Sequence, residues 1–182
     1  LIKAKFVPLL VSSDIKKESL LDILKSFKPK YIFMPTEEVG SVSQYKLEST
    51  FGNYSLLKTD CHIDYSINDE LALLLATSGS TGKPDMVRIS YENVWANTNS
   101  ISESLNISSI DRAITTMPMS YSYGLSIINT HLFKGASIIL TEAALMEKPF
   151  WNLIEDCEAT TFGGVPFIYQ MLKKLRFEKI QL

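Results

Sequence analysis

Cysteine is nearly absent: Cys61 and Cys157 are the two in 182 residues. Two thiols cannot build the disulfide framework of a small secreted domain, so free thiols in a reducing compartment, the cytoplasm, are the expectation. A surplus of charge is missing too. Lys and Arg total 18 against 20 Asp and Glu, a formal net charge of -2. Without a basic excess the chain lacks the bulk electrostatic footprint of a nucleic-acid binder. No apolar run approaches the roughly 20 residues of a membrane span. The longest, Leu71–Ala76, has the length of a strand. The opening residues do not read as a charged-then-apolar signal segment. No internal repeat, low-complexity tract or linker interrupts the chain.

What is present is an ordinary globular mixture, 46% hydrophobic and 21% charged. That excludes a disordered chain, a collagen-like repeat and a coiled coil. The length suits one domain, or a domain and a half, and is enough to bury a core. The chain begins at Leu1 and enters apolar, strand-like sequence at once. Natural starts are more often polar and frayed, so a piece of a longer protein is the expectation.

Strand and helix patterns alternate. Lys5–Val11 reads as a strand, with Ser12, Ser13 and Asp14 as N-cap candidates for a helix carrying Leu20, Leu21, Ile23, Leu24 and Phe27. Pro29 ends that helix and Tyr31–Met34 is a short strand; 36–60 reads as short strands and turns, broken by Gly40 and Gly52. Leu71–Ala76 is continuous enough for a strand covered on both faces. Met86–Ser90 is a strand whose last residue can cap a helix bearing Val94, Trp95, Ile101 and Leu105. Arg112–Thr116 is a strand, Gly124–Phe133 a helix stopped by Gly135, and Ala136–Thr141 a strand. Pro149 starts a helix, Ala159–Phe162 is a strand, and Pro166 starts a last helix with Phe167, Ile168, Met171, Leu172 and Leu175 on one face. This alternation implies an α/β fold, a layered, mostly parallel β-sheet with helices on its faces.

The segment that carries chemistry is Thr77-Ser78-Gly79-Ser80-Thr81-Gly82-Lys83-Pro84. Small residues let backbone N–H groups approach an anion, hydroxyls add donors, and lysine adds a charge. A polyphosphate needs that combination. It is not a Walker A loop, which requires glycine where Thr77 stands and Ser or Thr where Pro84 stands. Nor is it the Rossmann glycine pattern. The bland alternative is a solvated Gly/Ser turn.

These residues resemble the signature loop of the adenylate-forming superfamily, which includes acyl-CoA synthetases, peptide-synthetase adenylation domains and luciferases. Thr77–Pro84 matches the Thr-Ser-Gly-Ser/Thr-Thr-Gly-x-Pro pattern in full, and Asp85-Met86 stands where Lys-Gly is usual. Lys3-Ala4-Lys5-Phe6-Val7-Pro8-Leu9 is similar to an upstream family segment, and Ser90-Tyr91-Glu92-Asn93-Val94 to the stretch after the loop. Met117-Pro118-Met119-Ser120-Tyr121-Ser122-Tyr123-Gly124 resembles the family's second motif, and Gly135-Ala136 its Gly-Gly/Ala strand. Gly163-Gly164-Val165-Pro166 resembles the turn bordering its acyl pocket.

The resemblance implies that residues 1–182 are an internal part of the large N-terminal AMP-binding domain, without the small C-terminal domain. It implies an acid–thiol ligase: a carboxylate attacks the α-phosphorus of ATP, pyrophosphate leaves, and a thiol, coenzyme A first among candidates, takes the acyl group. Thr77, Ser78, Gly79, Ser80, Thr81, Gly82 and Lys83 would cradle the phosphates. Tyr121, Tyr123, Gly124, Gly163, Gly164 and Val165 would line the substrate pocket; ordinary aromatic packing is the alternative for the two tyrosines. The family's magnesium-holding Glu, its ribose-binding Asp and its catalytic Lys fall beyond Leu182, so the piece alone is expected to be inactive. No Asp in a Phe-Asp-x-Ser motif occurs in 121–126, which favours an acyl or aryl acid over an amino acid. A degenerate nucleotide-binding remnant, a carrier-protein-loading adenylation domain and a plain interaction domain stay open.

The remaining candidates read as structural. Cys61-His62-Ile63-Asp64 offers too few ligands for zinc, and no second cluster accompanies it. His131, on an apolar helix face, is expected to be a satisfied core histidine. Cys157 is expected to be buried and inert. Lys173, Lys174 and Arg176 form a solvated helix face.

Overall fold

The computed structural model describes residues 6–76 and 85–174. The chain divides into two compact units, Ser13–Asn68 and the remainder, Leu1–Ser12 with Asp69–Leu182.

In the first of these, helix α1 (Lys17–Phe27) precedes strand β2 (Tyr31–Pro35), a 3-10 segment (Thr36–Val42) and the hairpin β3 (Lys46–Phe51) and β4 (Tyr54–Lys58). The expected caps at Ser12, Ser13 and Asp14 are not used. The N-cap is Lys16, with no side-chain cap. Ile15 and Leu20 then fall at the N′ and N4 positions of a hydrophobic staple, both half-buried. The strand order is β2-β4-β3, all antiparallel. Gly40 lies inside the 3-10 segment and breaks nothing, whereas Gly52, with φ +58, sits in the hairpin loop. One face of this sheet contributes Met34 and Leu57 to a core with Leu24 and Val42. The other face carries Phe33, stacked on Tyr54 with ring centroids 5.2 Å apart.

The larger unit holds β1 (Leu9–Leu10), β5 (Leu71–Ala76), β6 (Met86–Ser90), α2 (Tyr91–Ser104), β7 (Arg112–Ile114), α3 (Ser122–Phe133), β8 (Ser137–Ile139), α4 (Lys148–Asp156), β9 (Thr161–Phe162) and α5 (Pro166–Lys174). Strand β5 is central in a sheet ordered β1-β5-β6, and its consecutive residues Ala72 and Leu73 are both buried, so both faces are covered as expected. β1 pairs with it in parallel and β6 antiparallel. The link from β5 to β6, residues 77–85, is nine residues long. A parallel return would need a crossover of about a dozen or more, so the chain can only turn back.

Ser90 caps α2 in a reciprocal box: its side chain accepts from the Asn93 backbone N–H at 3.0 Å, and Asn93 Oδ1 accepts from the Ser90 N–H at 3.1 Å. Of the apolar residues read along this helix, Trp95 and Leu105 are 61% and 68% exposed. The small polar Thr98 and Ser102 are the buried residues of α2. They continue the i, i+4 line from Val94, whereas Trp95 is turned about 100° away and Leu105 lies past the helix end.

The second sheet of this unit, β8-β7-β9, is wholly parallel. From β7 the chain crosses through α3 to β8 on one side, then through α4 to β9 on the other. Crossovers in opposite directions place their helices on opposite faces. Consecutive residues of β9 show this: Thr161 meets His131 of α3, and Phe162 meets Phe150 of α4 edge-on, with ring centroids 6.2 Å apart. Ala113 and Ile114 of β7 are therefore both buried. Gly135, at φ +71, follows α3 as its expected stop. Strands β7, β8 and β9 are shorter than expected, and side-chain bonds of Thr115, Thr116 and Thr160 lie beside their ends. Cys157, at the end of α4, is half-buried and not fully enclosed, as is Cys61. On α5, Leu172 is buried and Phe167 faces outward. Leu175 and Arg176 lie outside the described residues.

Candidate functional site

Ligands of open α/β sheets bind in the crevice outside the carboxyl ends of the strands. The expected pocket residues lie at the carboxyl edge of β7 and β9. The loop after β7 contains Met117–Tyr121 and runs into α3; the loop after β9 is Gly163–Val165 and runs into α5.

The structure brings the expected pocket residues together at this edge. Tyr121 is the N-cap residue of α3; its N–H donates to the Pro118 carbonyl at 3.0 Å, closing the turn. Tyr121 is 49% exposed and Tyr123 37%, so neither residue is enclosed in the core. Gly124 is buried in the first turn of α3, and a Cβ there would stand 2.2 Å from the Pro118 carbonyl oxygen. Only glycine allows the preceding loop to fold back over the helix start. A Cβ at Gly163 would stand 2.6 Å from Ile127 Cδ1 and 3.3 Å from the Tyr123 hydroxyl, so Tyr123 in the first turn of α3 and Gly163 of the loop after β9 are neighbours. Gly164 packs against Ile168 and Tyr169 of α5. The Val165 carbonyl accepts the Ile168 N–H at 2.8 Å and starts that helix.

Two consecutive threonines bind these loops to the sheet. Thr115 Oγ1 accepts the Thr141 N–H at 3.1 Å and so ties β7 to the segment after β8. Thr116 Oγ1 donates to the Gly163 carbonyl and ties β7 to the segment after β9. Sequence reading missed Thr116 and Ile127. The available signal was a Thr-Thr pair closing a strand inside a parallel α/β pattern.

At the opposite edge of the sheet, Asp111 accepts from the Ser108 N–H at 2.7 Å and from the Thr160 hydroxyl at 3.0 Å. The Ser108 backbone bond first, and the hydroxyl bonds after it, hold its carboxyl below the usual range against a smaller opposing effect of burial. Arg112 pairs with Glu158 beside it. These contacts are structural. His131 is buried with both ring nitrogens engaged, as expected of a core histidine, and His62 is exposed. Among the described residues no group of three or more His, Cys, Asp or Glu side chains could hold a metal ion.

Thr77, Ser78, Gly79, Ser80, Thr81, Gly82 and Lys83 lie outside the described residues. Strand β5 before them is a central, buried strand, and β6 after them leads into the capped start of α2.

A profile of the AMP-binding enzyme family matches residues 1–181. The chain belongs to that family. Among curated relatives of this AMP-binding chain is an acyl-CoA synthetase of Alternaria alternata, 31% identical over 59% of the chain and 19% of the relative. An acyl-CoA ligase of Aspergillus fumigatus is 24% identical over 92% of the chain and 30% of the relative. Among solved structures, O-succinylbenzoate coenzyme A synthetase of Bacillus subtilis in complex with AMP superposes with a TM-score of 0.66 at 20% identity, covering 95% of the chain and 45% of that structure. That likeness shows the fold, a mixed α/β arrangement of sheets and helices. The chain thus spans about a fifth to a third of the length of these curated relatives. No helix among the described residues is long and apolar enough to cross a membrane.

Proposed function

We propose that this AMP-binding chain is part of an acid–thiol ligase. It would activate a carboxylic acid as its acyl-adenylate at the expense of ATP and hand the acyl group to a thiol, most simply that of coenzyme A. The observation that carries the reading is the Thr77–Lys83 motif in the β5–β6 link of a chain whose family match runs through it. The names of the curated relatives, an acyl-CoA synthetase and an acyl-CoA ligase, support the same class.

In this reading the carboxylate oxygen attacks the α-phosphorus and pyrophosphate departs. Charge grows on the β and γ oxygens as that bond breaks. Thr77, Ser78, Thr81 and Lys83, with the backbone N–H groups of Gly79, Ser80 and Gly82, would meet that charge. The acid would lie at the carboxyl edge of β7 and β9, against Tyr121, Tyr123, Gly124, Gly163, Gly164 and Val165. An acyl or aryl acid fits the residues better than an amino acid, because positions 121–126 offer no carboxylate for an ammonium group. A magnesium ion bridging the phosphates would be held by a Glu from a further part of the adenylation domain; among the described residues no group of three or more His, Cys, Asp or Glu side chains could hold a metal ion. The family's acceptor site, remaining nucleotide contacts and catalytic lysine would come from further parts of the adenylation domain. The scarcity of cysteine supports work in the cytoplasm.

Acid-dependent exchange of labelled pyrophosphate into ATP, run on the full-length protein across fatty, aryl and amino acids, tests the reading. Exchange with fatty or aryl acids is expected. No exchange with any acid would overturn it in favour of a nucleotide-binding remnant.

A further inference from the structure

The hydroxyl of Thr116 does something at the candidate site that neither the motif nor the family match assigns. It follows β7 directly and reaches across to the backbone carbonyl of Gly163, 47 residues later, on the segment leaving β9. On its other side Gly163 lies against α3: a Cβ there would stand 2.6 Å from Ile127 Cδ1 and 3.3 Å from the Tyr123 hydroxyl, so the Ile127 side-chain end would have to shift. Gly163 is therefore held through its carbonyl by Thr116 and lies beside Ile127 and Tyr123.

The neighbouring Thr115 makes the comparison. Its backbone N–H still donates to the Ile139 carbonyl at 3.0 Å and its hydroxyl serves the β8 side. Between β7 and β9 the last paired residues are Ile114 and Phe162. Past that pair, the hydroxyl of Thr116 continues the connection.

We infer that Thr116 is a positioning residue for the acid: by holding the Gly163 carbonyl it fixes the Gly163–Val165 turn against Tyr123 and so sets the wall on which the acid rests. The inference rests on the acid–thiol ligase reading above. Thr116 touches no reacting atom in it and acts through the turn.

Thr116→Val keeps the shape and removes the donor; Thr116→Ser keeps the donor. In the full-length protein, Thr116→Val is expected to raise KM for the acid about tenfold, the scale of one lost hydrogen bond to a part-buried carbonyl. KM for ATP should stay within about twofold, and Thr116→Ser should restore the acid KM. In parallel, amide hydrogen exchange at Gly164 and Val165 should quicken about tenfold in the Val variant while Ile138 and Ile139 of β8 keep their rates. If Thr116→Val does not fold, Thr116→Ala removes the same hydroxyl and is read in the same way. Unchanged exchange at Gly164 and Val165, or KM values for acid and ATP rising together, overturns the inference. A wild-type protein with no acid-dependent reaction overturns the ligase reading and the acid-binding role with it. The exchange comparison then decides separately whether Thr116 holds the turn.

Discussion

His131 of α3 and Thr161 of β9 are joined through the imidazole Nε2, which lies 2.9 Å from the threonine hydroxyl. The other ring nitrogen, Nδ1, lies 2.8 Å from the Ile127 carbonyl one turn back on the helix. A carbonyl oxygen only accepts, so Nδ1 carries a hydrogen, and in the neutral ring the Thr161 hydroxyl donates to Nε2. The contact fastens α3 to the strand that delivers Gly163.

Replacing this ring leaves a cavity and strips Thr161 of its partner. His131→Ala should lower unfolding stability by about 3 kcal/mol. A urea midpoint shift equivalent to less than about 0.5 kcal/mol would show that the contact contributes little.

Gly124 and Gly40 make a matched pair of opposite expectation. A Cβ at Gly124 would meet the Pro118 carbonyl, a backbone atom that cannot step aside, whereas nothing lies within 4 Å of one at Gly40. Gly124→Ala should cost about 3 kcal/mol or more, and Gly40→Ala should stay within about 0.5 kcal/mol of wild type. Thermal melting of the two variants side by side checks the contrast.

Asp111 links stability to acidity. Its carboxyl is held below the usual carboxylate range, first by the Ser108 backbone N–H. A carboxyl depressed in the folded state contributes stability that is fully present above its unfolded pKa. That contribution is lost as pH falls through the folded value. The stability gap between wild type and Asp111→Asn should therefore be constant near neutral pH and shrink below about pH 4. Urea titrations at a series of pH values measure it, and a gap that instead grows on acidification would contradict the assignment.

Lys83 is the one cation of the signature loop. In the ligase reading, Lys83→Ala should raise KM for ATP at least about tenfold, the scale of a lost charge-assisted bond, with KM for the acid little changed. Asp85→Lys restores the family's usual charge beside it. A sharp gain in activity would show that the natural loop is weakened; little change would show that Lys83 suffices. An unaltered ATP KM in Lys83→Ala would remove the loop from the phosphate site.

The order of elements was legible from the sequence because its signals are local. Ser90 marked the start of α2, Gly135 the end of α3, and Pro149 and Pro166 the starts of α4 and α5. The unbroken run Leu71–Ala76 announced a strand covered on both faces, and it is one. Side-chain direction was less legible. Trp95 is large and apolar, but its place on the turn of α2 points it outward, and Thr98 takes the buried position. Helical geometry outweighed residue type there.

By itself the sequence determined the α/β class and the signature motif, since each is written in short spacings and residue types. Only the tertiary structure decided which strands pair and in which direction, and that Thr116, Tyr123, Ile127 and Gly163 meet. The reason is physical: a hydroxyl and a carbonyl 47 residues apart leave no local pattern in the chain. They become neighbours only once crossovers through α3 and α4 have set β8 and β9 on either side of β7.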